Sequence, residues 1–176
     1  MADDQGGTAT ADRLSEFGAL ADYAPGEERP LAGYLVLMSV YAGATGGAAV
    51  ALRRAGRPLP ERVSAGDIVL IGVASHKISR TITKDKVTSF LRAPFTRFQE
   101  PSGKGEVEEE PRGHGVHRAV GELLVCPYCV AQWVATGLTL GLVASPRVTR
   151  LTSTVFVAHT ISDFMQAAYR AVESRA

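Results

Sequence analysis

The residues best suited to chemistry are Cys126 and Cys129, separated by Pro127 and Tyr128, and they are the only cysteines in 176 residues. A thiol at a helix N-terminus has its thiolate favoured by the helix dipole, and Cys-x-x-Cys spacing lets two sulfurs meet within one turn. That chemistry is thiol–disulfide exchange. No strand-then-helix pattern precedes the pair, which excludes a thioredoxin-like fold around it. A second chemistry joins both sulfurs to His159 and Asp163, which stand four apart and therefore share a helix face. Two sulfurs, one nitrogen and one oxygen are a tetrahedral zinc donor set. Against both stands the commoner fate of such residues: cysteines packed as small hydrophobes, and lone polar groups bonded to neighbouring helices. Beyond that zinc, no cofactor is expected.

Asp163 needs a partner whatever the function, because an unpaired carboxylate at bilayer depth is costly. The candidates are His76, Lys77 and Arg80, which would form a buried ion pair bracing two helices. A metal or ion path through His76, His159 and Asp163 is the alternative use of the same groups. None of His76, His114, His117 and His159 sits in a nucleophile-base-acid pattern, and no glycine-rich phosphate loop occurs, so catalysis is not indicated.

The elements that must position these residues are long uncharged runs. Residues 31–52 carry no charge and are bracketed by Arg29-Pro30 and Arg53-Arg54. At about 1.5 Å per residue the run covers a hydrocarbon core of about 30 Å. Residues 123–145 form a second such run, and 151–169 a third, interrupted only by His159 and Asp163. Segment 66–83 is apolar for barely half its length before Lys77 and Arg80, so it crosses with those charges inside the bundle or turns along the interface. The expected fold is all-α: a small polytopic membrane helix bundle of three to four hydrophobic helices spanning 30–172, behind a disordered or partly helical acidic tail at 1–29. The acidic start excludes the basic region of a signal peptide.

The connector 84–122 divides in two. Phe90, Leu91, Phe95 and Phe98 alternate with Arg92 and Arg97, a composition suited to lying among headgroups, and the Gly-, Pro- and Glu-rich remainder reads as flexible. If segment 66–83 does not cross, 15 basic residues gather on one side against Arg13, Arg29, Arg147 and Arg150, which favours three crossings with the N-terminus outside. A net charge of +1 argues against nucleic acid as a partner. The lipid bilayer, a second copy of the chain or an envelope protein are the expected partners. Gly43, Gly46, Gly47, Ala48 and Ala51 are small enough to admit another helix.

Two stretches, KISRTITKDKVTSFLRAPFTRF from Lys77 and GELLVCPYCVAQWVA from Gly121, resemble the paired signatures of the bacterial family called domain of unknown function 1360. The resemblance covers roughly residues 30 to 170. Its first motif is matched by Arg80, Asp85, Arg92, Pro94 and Phe95, its second by Cys126, Pro127, Tyr128, Cys129 and Trp133. It implies a small multi-pass protein of the bacterial cell membrane, in some members linked to sporulation, with no established activity. The chain departs from the family in its acidic tail and in its Glu-rich insertion after Gln99. The reading that results is a non-enzymatic membrane protein acting through helix or partner contacts, with a thiol-disulfide oxidoreductase and a metal or ion binder as rivals.

Overall fold

The computed structural model describes Tyr23 and residues 29–103 and 105–175; most of the acidic stretch 1–29 lies outside the described residues. The elements run α1 (Leu31–Arg54), α2 (Ala65–Lys84), a 3₁₀ turn (Lys86–Thr88), α3 (Ser89–Arg92), β1 (Thr96–Gly103), β2 (Glu106–Pro111), α4 (Gly115–Val125), α5 (Pro127–Ala144) and α6 (Pro146–Glu173). They form two compact units. The first gathers Thr83–Cys126 with the N-terminal half of α1; the second gathers Thr45–Ile82 with the chain from Pro127 onward.

Local chemistry sets the helix ends. α1 stops in a Schellman turn: Gly56 takes φ 69°, its N–H donates to the Arg53 carbonyl at 3.1 Å, and Arg57 N–H donates to Leu52 at 2.9 Å. α2 starts at an N-cap, Ser64. Ser64 Oγ accepts from the Asp67 N–H at 3.0 Å and donates to the Asp67 carboxylate at 2.9 Å.

Two expectations need correction. The fold is mostly helical rather than all-α, because the connector 84–122 is built rather than flexible: β1 and β2 pair antiparallel from Thr96↔Pro111 to Gly103↔Glu106, followed by α4. Gly103 and Gly105, at φ 77° and 82°, supply the left-handed backbone for reversal at the hairpin tip, and Lys86 N–H ties that tip down by donating to Gly105 at 2.8 Å.

The second correction concerns the helices. Two of the described helices, α1 and α5, are long and apolar enough to cross a membrane, not three to four. The run 123–145 is divided, since α4 ends at Val125 and α5 begins at Pro127, whose fixed φ and missing N–H suit a helix start. α2 and α6 have the length but are diluted by Asp67, Lys77, Arg80, Arg150 and Asp163.

In the first unit, α1 meets α4 where Gly33 has no side chain; a Cβ there would stand 2.7 Å from Ala119 Cβ. Gly121 of α4 sits under the hairpin root, where a Cβ would come within 2.6 Å of the Phe95 carbonyl oxygen. Tyr34 OH donates to Glu122, and Arg118 closes the link by bonding Glu122 at 3.1 Å. In the second unit, α5 and α6 join through Ser145 alone and touch where Gly141 faces Thr149.

Candidate functional site

The first unit is organised around Arg92, whose side chain is fully buried. α3 is too short to hold itself, so the guanidinium holds it to the hairpin. Nε donates to Glu109 Oε2 at 2.8 Å and Nη2 to Glu109 Oε1 at 3.1 Å, a bidentate pair with Glu109 only 5% exposed. Nη1 donates to Thr88 Oγ1 at 2.9 Å, and Nη2 also reaches the Asp85 carbonyl at 3.1 Å and Ser89 Oγ at 3.2 Å. Thr96 Oγ1 stands 2.8 Å from Glu109 Oε2. Burial pushes the Glu109 carboxyl up, but the hydrogen bonds from Arg92 and Thr96 and the Arg92 charge outweigh it and hold the group below the usual carboxylate range. Every edge of the guanidinium is committed to the protein itself. This arrangement is a brace. Asp85 contributes through its backbone, as the residue before the 3₁₀ turn and as an isolated bridge to Glu106.

The second unit is organised around a seam between α2 and α6. At one end Asp67 receives Arg150 in a bidentate pair, with Nε to Oδ1 at 2.8 Å and Nη2 to Oδ2 at 2.9 Å. Toward the other end Lys77 Nζ lies 2.7 Å from Asp163 Oδ2, and His159 Nε2 stands 3.8 Å from Asp163 Oδ1. Of the three candidate partners for Asp163, Lys77 makes the contact, while His76 and Arg80 are exposed. Asp67 precedes Lys77 on α2 and Arg150 precedes Asp163 on α6, so the two helices run parallel. Between the two pairs the buried residues are Ile71, Ala74 and Ser75 on α2 and Ser153 and Thr160 on α6, all but Ile71 small or polar. Among the described residues the Ser75 and Ser153 hydroxyls have no hydrogen-bond partner.

The cysteines end one helix and begin the next, and they are joined in a disulfide. This alters the zinc reading. The bond engages both sulfurs, and among the described residues no three His, Cys, Asp or Glu side chains converge as metal ligands. Asp163 is turned to Lys77 instead.

Residues 70–169, more than half of the chain, match the model of a family described as protein of unknown function (DUF1360). The chain belongs to this family. The match takes in Lys77, Asp85, Arg92, both cysteines and Asp163. The UPF0713 protein YngL of Bacillus subtilis (strain 168) is 28% identical over 91 residues, half of this chain and 66% of that protein, so the chain spans just under two thirds of its relative. No solved structure matches.

Sequence reasoning missed Glu109, Asp67 and Arg150. Glu109 stands in a Glu-rich run that looks like solvated chain. The Ser-x-x-Asp spacing at 64–67 was a readable cap signal, but nothing local announces that Asp67 meets a residue 83 positions away.

Proposed function

We propose that this chain is a multi-pass integral membrane protein of the bacterial envelope that acts without catalysis, through helix contacts with itself or with an envelope partner. The observation that carries this reading is an inverted distribution of polarity. Among the described residues ten polar or charged residues are buried against five apolar ones, while Leu35, Met38, Val40, Ile68, Val69, Val155, Phe164 and Met165 lie exposed. Water would penalise that arrangement; hydrocarbon around the bundle favours it, with polar groups turned inward. The Thr139, Thr154 and Thr160 hydroxyls bond carbonyls four residues back in their own helices, which meets their hydrogen-bonding needs without solvent. The test is fractionation after cell breakage. The protein should sediment with membranes, resist carbonate extraction and require detergent; recovery in the high-speed supernatant refutes the reading.

The disulfide favours a second reading, a thiol oxidoreductase. A substrate dithiol would pass two electrons and two protons to Cys126–Cys129, becoming a disulfide as the pair becomes two thiols. Replacing both cysteines by Ser should then shift the thiol status of other envelope proteins, and an unchanged status removes this reading.

A further inference from the structure

We infer that α2 and α6, neither apolar enough to insert by itself, cross the bilayer together as a charge-tied parallel pair, with the face of α2 that carries Ile68 and Val69 lying against lipid acyl chains. The inference rests on the membrane reading and extends it to helices that hydropathy leaves out.

Length permits it. At about 1.5 Å per residue, α2 with 20 residues and α6 with 28 both cover a hydrocarbon core of about 30 Å. What bars either helix alone is its charge; two of the charges on α2 are met from α6, and Arg80, exposed in the last turns of α2, is long enough to reach the headgroups. Asp67 is neutralised by Arg150 and Lys77 by Asp163, and the two pairs stand ten residues apart on α2 and 13 apart on α6. Two ties at different heights fix direction as well as proximity. If α5 crosses one way, α6, joined to it through Ser145 alone, returns the other way. α2, parallel to α6, then runs in the returning direction too. The outward positions agree: Ile68 and Val69 are 60% and 64% exposed, while Ile71, Ala74, Ser75 and Lys77 are turned inward. An interfacial α2 lying flat would instead present its charges to headgroups and its apolar side to the bundle.

A topological consequence follows that differs from the three-crossing arrangement. Residues 55–64 and the Ser145 turn face one compartment; the hairpin region between α2 and α5 and the C-terminus face the other.

The test uses single cysteines at the exposed positions Glu61, Glu100, Arg147 and Ser174, read with an impermeant maleimide on intact cells and on inverted vesicles, the native pair remaining oxidised and unreactive. Positions 61 and 147 should label from one side, and 100 and 174 from the other. Labelling of 61 and 100 from the same side of a protein that fractionates with membranes overturns this inference alone. Recovery of the whole protein in the supernatant overturns the membrane reading beneath it. As an independent measurement, Lys77→Met should lower membrane-integrated protein about tenfold by taking from Asp163 its partner on α2, and Lys77→Met with Asp163→Leu should restore it to within about twofold. A single variant at the wild-type level, or a double variant no better than the single, refutes the tie.

Discussion

Removing the Glu109 carboxylate tests the reasoning about the first unit most directly. Arg92 is fully buried and Glu109 nearly so, and the two share a bidentate contact at 2.8 and 3.1 Å. Glu109→Ala leaves the guanidinium buried against the neutral acceptors Thr88 Oγ1, Ser89 Oγ and the Asp85 carbonyl. Breaking a buried pair from one side costs about 3–5 kcal/mol. At 298 K, 3 kcal/mol corresponds to roughly a 150-fold rise in the opening equilibrium, by the rule that about 1.4 kcal/mol is a factor of ten. Hydrogen exchange reads that opening, and the amides of β1 and β2 should lose protection by about two orders of magnitude while those of α5 keep theirs. Arg92→Met with Glu109→Leu removes both charges and should recover most of the loss, because well-packed apolar replacements of a buried pair are often neutral or stabilising. Protection within about threefold of wild type in the single variant, or a double variant as labile as the single one, refutes the assignment of Arg92 as the unit's brace.

The same carboxylate sets a pH dependence. Its folded value lies below the usual 4.5, so its stabilisation is complete above that value and is lost as pH falls through the lower folded value. Acid unfolding of the hairpin, followed by exchange or near-ultraviolet dichroism, should lose its steepest part in Glu109→Gln. Gly121→Ala places a Cβ about 2.6 Å from the Phe95 backbone oxygen, which has no flexible side chain to yield, and should destabilise the first unit by about 1–3 kcal/mol in thermal unfolding. A Cβ at Gly46 would meet nothing within 4 Å, so Gly46→Ala should raise helix stability by about 0.5–1 kcal/mol; a loss of oligomer on native gels would instead mark that face as a helix contact. Ser64→Ala removes the α2 cap and should cost about 1 kcal/mol in thermal unfolding.

What the sequence determined by itself was where long apolar helices run, around residues 31–52, 66–83 and 151–169. Uncharged runs of spanning length are a one-dimensional signal, set by composition and about 1.5 Å per residue, and α1 was legible from Leu31 through the basic residues that end it. Asp163's need for a counter-charge was legible too, because the energy of a lone carboxylate among apolar neighbours does not depend on where its partner comes from. Which of His76, Lys77 and Arg80 would meet it was not, since residues 76 and 80 share one face of α2 and 77 lies about 100° around from 76, and only the packing of α6 selects between them. Tertiary structure alone decided the hairpin and its brace. A Glu-rich run reads as solvated chain until a buried guanidinium is placed beside one of its carboxylates, and that placement depends on how α3 docks rather than on any local pattern. Likewise the direction of α2 against α6 is written in contacts between residues more than 80 positions apart, where periodicity and propensity carry no information.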